Sequence, residues 1–184
     1  YGIFDRSGVA SVAPGGDPAA IEHRPGDAYL VEHAHGACLA ASAPGLDYSS
    51  GVLVAVRGEP AWARPFGTPG AVVDAATLLA AYRVEGPECI ARLSGRFAVA
   101  ICDAAAGRVV LAVDAMGIER LAYATAPGKL AFGASTMAVA RTPGIDARVS
   151  RQSVFSYLML HMVPAPETIF EGVSKLRAGH MAVW

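Results

Sequence analysis

The most continuous apolar region of the chain occupies residues 93–123, and its pattern predicts a buried β-hairpin. Residues 96–102 and 108–113 are almost uninterruptedly apolar, and turn-forming residues at 103–107 separate them. Strands that are apolar on both sides are typical of a sheet that is covered on both faces. The pattern therefore predicts that this hairpin lies at the centre of a layered domain.

Further strands are predicted on both sides of the hairpin. A loop at 114–120, in which Gly117 can adopt a positive φ, should lead from the hairpin into the next strand. Two polar segments, 44–50 and 57–60, are predicted to be loops, and the second should end the strand before it. The remaining predicted strands cover residues 1–4, 28–33, 37–42, 51–56, 121–125, 129–133, 168–170 and 180–184.

Helical spacing of apolar residues predicts two helices of ordinary length. The first covers 73–82, with Asp74 in its first turn, and the second is an amphipathic helix at 150–161 that begins after the N-cap Ser150. In the second helix one apolar stripe is expected to face the core, and it consists of Val154, Tyr157, Leu158 and His161. Shorter helical turns are expected at 17–22, 88–93 and 135–140.

Blocks of strands that alternate with helices predict an α+β fold, in which two antiparallel sheets stack between helical layers. The chain of 184 residues has no repeat or linker that divides it, so residues 1–184 are predicted to form a single domain.

Composition narrows the possible partners and location. The formal net charge is −1 and the basic residues are scattered, which argues against nucleic acid and membrane surfaces as partners. Three cysteines without CxxC spacing, Cys38, Cys89 and Cys102, are expected to be buried thiols. The sequence lacks a signal-peptide pattern and a long apolar run, so we expect a cytoplasmic protein.

Several segments together resemble a known family. They include LSGRFAVAICD at 93–103, VDAMGIERLAY at 113–123 and TIFEGVSKLRAGHMAVW at 168–184, with shorter matches at 2–4, 23–24 and 56–59 and in the helix that contains Asp74. This set resembles the glutaminase domain of asparagine synthetase, a class II glutamine amidotransferase. The resemblance implies the N-terminal-nucleophile (Ntn) hydrolase αββα sandwich.

The same resemblance implies that the glutaminase site has decayed. The family uses an N-terminal cysteine as nucleophile, and Tyr1 stands at that position; a phenol of pKa about 10 does not replace a thiol of pKa about 8.5. An Asn-Gly pair forms the family's oxyanion hole, where this chain has Arg57 and Gly58. Asp74 aligns with the acidic residue that holds the glutamine amine, although helix capping is the simpler interpretation. The arginine expected near 37–42 is missing.

Other motifs favour ordinary structural roles. His33 and His35 share a strand face but have no third ligand at useful spacing for a metal, so no metal site is expected. His161 and His180 are interpreted as structural residues. Residues 46–50, LDYSS, resemble the pyrophosphate loop of asparagine synthetases, but that loop should open a helix, so no cofactor is expected in this domain.

Three functions remain open. The first is a catalytically silent N-terminal domain of an ATP-dependent ligase, of which a lasso peptide cyclase that closes a macrolactam is favoured. The second is the same domain of an asparagine synthetase or β-lactam synthetase, and the third is a free-standing binding module. The first implies a C-terminal synthetase domain beyond this chain that uses ATP and Mg²⁺, with a precursor peptide and a leader-peptide protease as further partners.

Overall fold

The computed structural model describes residues 2–5, 29–34, 37–42, 46–63 and 71–184. Side chains are described at Asp47, at 49–63 and at 71–184, and the backbone alone elsewhere. Tyr1, the helical turn predicted at 17–22 and His35 lie outside the described residues.

Eleven strands and three α-helices are found in these ranges. In chain order the strands are β1 Gly2–Asp5, β2 Tyr29–Ala34, β3 Ala37–Ser42, β4 Leu46–Ser49, β5 Val52–Trp62, β6 Leu93–Asp103, β7 Arg108–Val113, β8 Ala122–Ala126, β9 Lys129–Gly133, β10 Ser174–Lys175 and β11 Met181–Val183. The helices are α1 Ala75–Glu85, α2 Thr136–Ala140 and α3 Arg151–Leu160, and a 3₁₀ helix, Gly86–Arg92, follows α1 directly.

The strands form two antiparallel sheets, as the sequence predicts. One has six strands in the order β10-β8-β9-β1-β3-β2, and the other has five in the order β11-β7-β6-β5-β4. The predicted hairpin is β6–β7, with Ala98 opposite Val113 and Asp103 opposite Arg108. It occupies the middle of the five-stranded sheet.

Both faces of this hairpin are buried, because alternate side chains of β6 enter two different cores. Phe97, Val99 and Ile101 pack with α1, whereas Ala98 and Ala100 pack toward the six-stranded sheet. A strand that is buried on both faces has no position at which a polar side chain is favoured. This explains the nearly unbroken apolar sequence of β6 and β7.

Each sheet carries helical structure on its outer face. Leu78, Leu79 and Tyr82 of α1 pack against the five-stranded sheet, together with Cys89 and Ile90 of the 3₁₀ helix. On the other side, Val139 of α2 packs against alanines of β8 and β9. The predicted αββα arrangement is confirmed by these four layers.

Two predicted loops are strands, so those predictions were wrong. Residues 46–49 form β4, which pairs antiparallel with β5, and β5 continues through residues 57–60 to Trp62. The continuation is possible because Gly58 adopts φ +94°, and because the Pro60 carbonyl faces away from β6 and accepts the Val73 N–H at 2.8 Å. The missing N–H of Pro60 therefore removes no hydrogen bond from the β5–β6 ladder.

The C-terminal region also differs from the prediction. The strand expected at 168–170 is absent, and Phe170 forms only an isolated bridge with Val149. The short strand β10 lies a few residues later. Helix α3 is confirmed, including its N-cap Ser150, but the stripe predicted to face the core is exposed, and His161 ends the helix in the left-handed conformation.

Among the described residues, no helix is both long and apolar enough to cross a membrane.

The packing of α1 predicts a large difference between two of its apolar residues. Leu78 is fully buried, whereas 75% of Val84 is exposed on the same helix. Leu78→Ala should lower the free energy of unfolding by about 2–5 kcal/mol because it leaves a cavity. Val84→Ala should change it by no more than about 0.5 kcal/mol. Urea denaturation of both variants measures the difference, and equal effects would contradict the described packing of α1.

Candidate functional site

Three of the four residues singled out from the sequence lie at one end of the five-stranded sheet. Arg57 and Gly58 are consecutive on β5, and Asp74 follows Val73, whose N–H donates to the carbonyl of Pro60 at 2.8 Å. An isolated bridge between Ala61 and Val72 holds the same two segments together. The fold therefore brings Arg57, Gly58 and Asp74 into one region although the last is 16 residues from Gly58 in sequence.

Gly58 occupies a position that no other residue type fits. Its φ is +94°, and a Cβ atom placed on it would lie 2.3 Å from the carbonyl oxygen of Arg96. The opposite residue, Phe97, bonds toward β7, since its carbonyl accepts the Asp114 N–H at 2.9 Å. Because successive residues of an antiparallel ladder bond to opposite sides, Gly58 directs its backbone away from β6.

Arg57 is part of a chain of alternating charges. Its Nε donates to Glu119 Oε2 at 2.9 Å, and the other oxygen, Oε1, accepts from Arg96 at 3.3 Å. Arg96 also donates to Glu59 at 2.9 Å. Only 11% of the Glu119 side chain is exposed, against 63% of the Arg57 side chain, so the carboxylate is the anchored member of the pair.

The strand pattern places this charged chain beside the space between the two sheets. Odd-numbered residues of β5, such as Leu53, enter the core between the sheets, and Arg57 follows them on the same face. On β6 the residues that face this core are even-numbered, and Arg96 lies on the same face as Ala98 and Ala100. Two arginines and a buried glutamate therefore close the inter-sheet core at this end.

The carboxylate of Asp114 holds the backbone of Glu119 in place. Asp114 is almost fully buried and accepts four backbone N–H bonds, from Phe97, Met116, Ile118 and Glu119, at 2.9–3.3 Å. Burial alone would raise its pKa, but the four hydrogen bonds outweigh burial, and the pKa of Asp114 is lowered. The loop predicted at 114–120 is thus an ordered turn, in which Gly117 has φ +64° as expected.

Asp74 has the geometry of a helix cap. Its Oδ1 accepts the Thr77 N–H at 2.8 Å, and its backbone is extended, as an N-cap residue requires. Hydrogen bonds from the side chain and backbone of Thr77 lower the pKa of the Asp74 carboxyl. The helix-capping interpretation of this residue therefore has direct geometric support, and the residue itself is exposed.

The described cysteines are not placed for nucleophilic chemistry. Cys89 and Cys102 are buried, as predicted. Burial, with the nearby Glu85 carboxylate, raises the pKa of Cys89 to about 11, so its reactive thiolate is scarce at neutral pH. For Cys38, which lies on β3, only the backbone is described.

The histidine predictions have mixed outcomes. His180 Nδ1 lies 2.9 Å from the carbonyl of Ala178, which fits a structural role in the turn before β11. The pair His33 and His35 stays a prediction, because no side chain is described at either position. Among the side chains that are described, no group of three His, Cys, Asp or Glu residues is placed to hold a metal ion.

Sequence reasoning missed Glu119, Arg96 and Asp114. Glu119 is 62 residues from Arg57, and no local pattern links two positions at that separation. An aspartate directly after the apolar strand β7, followed by a glycine three residues later, is the one local signal that points to the Asp114 turn.

Comparison with known proteins agrees with the family resemblance of the sequence segments. A family model described as a glutamine amidotransferase domain matches residues 68–184. A Mycobacterium tuberculosis protein named as a glutamine-hydrolysing asparagine synthetase is 32% identical over 120 residues, which cover 64% of this chain. Bacillus subtilis asparagine synthetase 3, also named as glutamine-hydrolysing, is 30% identical over 108 residues, or 58% of this chain. The matched part is 18% of the length of each relative.

The geometry at Gly58 predicts a strong effect of one added methyl group. Gly58→Ala combines left-handed backbone strain of about 1–2 kcal/mol with the displacement of Arg96, about 1–3 kcal/mol more. Gly51→Ala is the matched control, because Gly51 has φ +81° but nothing within 4 Å of the added Cβ. Gly51→Ala should lower the free energy of unfolding only by the backbone strain, about 1–2 kcal/mol. Urea denaturation measures both, and equal losses would contradict the close approach of Gly58 to Arg96.

The buried Asp114 carboxylate predicts a pH-dependent stability. In Asp114→Asn one oxygen becomes an NH₂ group that opposes two N–H donors, so stability at neutral pH should fall by about 2–5 kcal/mol. Since the folded pKa is lowered, the wild-type stabilisation is complete above the ordinary carboxyl pKa of about 3.9 and is lost as pH falls through the folded pKa.

The test is urea denaturation of wild type and Asp114→Asn from neutral pH down into this acidic range. The variant should lose stability with falling pH less steeply than wild type, by up to about 1.4 kcal/mol per pH unit. Identical slopes for the two proteins would show that Asp114 does not have a lowered pKa.

Proposed function

We propose that this chain, which belongs to the glutamine amidotransferase domain family and is related to asparagine synthetases, is a domain that no longer hydrolyses glutamine. In this proposal it is the N-terminal part of an ATP-dependent ligase that forms an amide or isopeptide bond. The relatives are more than five times as long as the part that this chain matches, which supports a larger parent protein.

The observation that carries the proposal is the ion pair between Arg57 and Glu119. An oxyanion hole needs a donor aimed at the oxygen that becomes negative, and loss of one such donor costs roughly 10²–10³-fold in rate. Arg57 stands where the resemblance places that donor, and its Nε is bonded to a buried carboxylate at 2.9 Å. A cation engaged in this way is a poor substitute for an asparagine amide.

The nucleophile position supports the same conclusion. The resemblance places the catalytic cysteine directly before Gly2, Ile3 and Phe4, and Tyr1 stands at that position. The two cysteines with described side chains, Cys89 and Cys102, are buried and belong to separate cores, so neither replaces it. Gly58 and Asp74 remain from the glutamine site, and each also has a structural role that explains its presence.

A ligase that takes no ammonia from glutamine needs another nitrogen source. We infer that the amine is already on the substrate, as in lasso peptide cyclases, where the N-terminus of a precursor peptide attacks an Asp or Glu side chain. A synthetase domain would activate that carboxylate with ATP and Mg²⁺ as an acyl adenylate, and the amine would displace AMP. In this proposal the protein is cytoplasmic, and its further partners are the precursor peptide and a leader-peptide protease.

A second candidate is an asparagine synthetase that uses free ammonia or retains weak glutaminase activity. The names of the relatives favour it, since the proteins that match at 30–32% identity are named as glutamine-hydrolysing asparagine synthetases. A β-lactam synthetase-like ligase would share the silent domain and differ in its substrate.

Ammonia release from glutamine is the first test. Wild type should release no more ammonia than a heat-denatured control. A variant with cysteine as the first residue of the mature chain, Tyr1→Cys, should remain at least about 10²-fold slower than a glutamine-hydrolysing relative because Arg57 is unchanged. Addition of Arg57→Asn should raise its rate. Appreciable turnover by wild type would refute the proposal of a silent domain and favour the second candidate.

The two ligase candidates are separated by their products. The full-length protein with ATP and a cognate precursor should give a dehydrated, cyclised peptide by mass spectrometry. With ATP, aspartate and ammonia it should give no asparagine. The reverse pair of results would support an asparagine synthetase.

A further inference from the structure

Helix α3 carries large apolar side chains that the described part of the domain leaves uncovered. Six of its ten residues, and Met162 just beyond it, are large hydrophobic residues that are 37–68% exposed. Within the helix, only Ser153 is buried. A contiguous apolar surface of this kind on a folded domain is typical of an interaction site.

The exposed residues include a stripe on the side of the helix opposite the domain. At about 100° per residue, Val154, Leu158, Phe155 and Met159 span an arc of about 140°, and Ser153 lies on the other side. We call these four residues the α3 stripe. Since Ser153 marks the side that contacts the domain, the α3 stripe points away from it.

The sequence around the stripe is uncharged. No Lys, Arg, Asp or Glu occurs between Arg151 and Glu167. An exposed helix that stays in water usually carries charged residues on its outer face. Their absence here favours a covering partner that is itself apolar, and it argues against an acidic or basic ligand.

Hydrogen bonds fix both ends of α3, so the helix holds the α3 stripe in one orientation relative to the domain. At the N-terminal end, the Ser150 hydroxyl accepts the Ser153 N–H at 3.2 Å, and the Ser150 N–H donates to the Ile169 carbonyl at 2.9 Å. After the helix, Lys175 Nζ donates to the Val163 carbonyl at 2.6 Å. These bonds tie the chain before and after α3 to the C-terminal segment of the domain.

We propose that the α3 stripe is the docking face for the synthetase domain of the same polypeptide. This inference rests on the proposed function, and the length of the relatives supports it, because 82% of that length (100% minus the matched 18%) lies outside the matched part. A covalently joined domain is present at high effective concentration, so an uncharged apolar face suffices for stable contact. A second copy of the chain is the competing occupant.

Methionine oxidation in the full-length protein tests the docking directly. Met159 belongs to the stripe and is 64% exposed in this domain, whereas Met116 is 80% exposed and lies outside the stripe. If the synthetase domain covers the stripe, hydrogen peroxide should oxidise Met159 at least about fivefold more slowly than Met116. Peptide mass spectrometry gives both rates in one sample.

Two matched variants separate docking from general effects. Leu158→Lys adds a charge to the stripe in the last turn of α3 and should raise the Met159 rate toward that of Met116. Val84→Lys makes the same kind of change at an exposed apolar residue in the last turn of α1 and should leave both rates unchanged.

Equal oxidation of Met159 and Met116 in the wild-type protein would overturn the inference. Protection of Met159 that disappears on dilution would also overturn it, because it would identify a second copy as the occupant. The measurement needs no turnover, so a failed glutamine or macrolactam assay leaves the oxidation result intact, and the two proposals can fail separately.

Discussion

The burial of the β6–β7 hairpin on both faces is the constraint on which the rest of the structure depends. Alternate residues of β6 enter the α1 core and the inter-sheet core, so the hairpin joins the α1 layer to the six-stranded sheet. Asp114 closes one end of this unit by accepting four backbone N–H groups while it is itself buried. Backbone groups at the end of a buried sheet must find partners, and one carboxylate supplies them here.

The charged residues of the candidate site lie at that same end of the hairpin. The turn that Asp114 organises places Glu119 beside Arg57 and Arg96, with one arginine on each carboxylate oxygen. Arg96 also bonds to Glu59, so two cations and two anions close the inter-sheet core beside Gly58. Gly58 directs its backbone away from β6, while the side chain of the adjacent Arg57 is engaged in an ion pair with Glu119.

Much of the fold could be predicted because its signals are local. The hairpin, α1, α3 and their capping residues follow from apolar periodicity and from Asp74 and Ser150. The strand at 46–49 was missed because its polar residues resemble a loop, and its strand conformation comes from pairing with β5. The extension of β5 was missed because Gly58 and Pro60 normally end strands, and only the pairing of Gly58 with Phe97 and the hydrogen bond from Val73 to Pro60 make the continuation favourable.

The sequence was enough to infer the layered α+β class, the family resemblance and the capping of α1 by Asp74. These are properties of residue type and local period, which need no knowledge of distant contacts. Only the three-dimensional structure shows that Arg57 is held by Glu119 and that the apolar residues of α3 face outward. Each of these depends on which segments the fold brings together, and local sequence patterns carry no information about contacts between residues 62 positions apart.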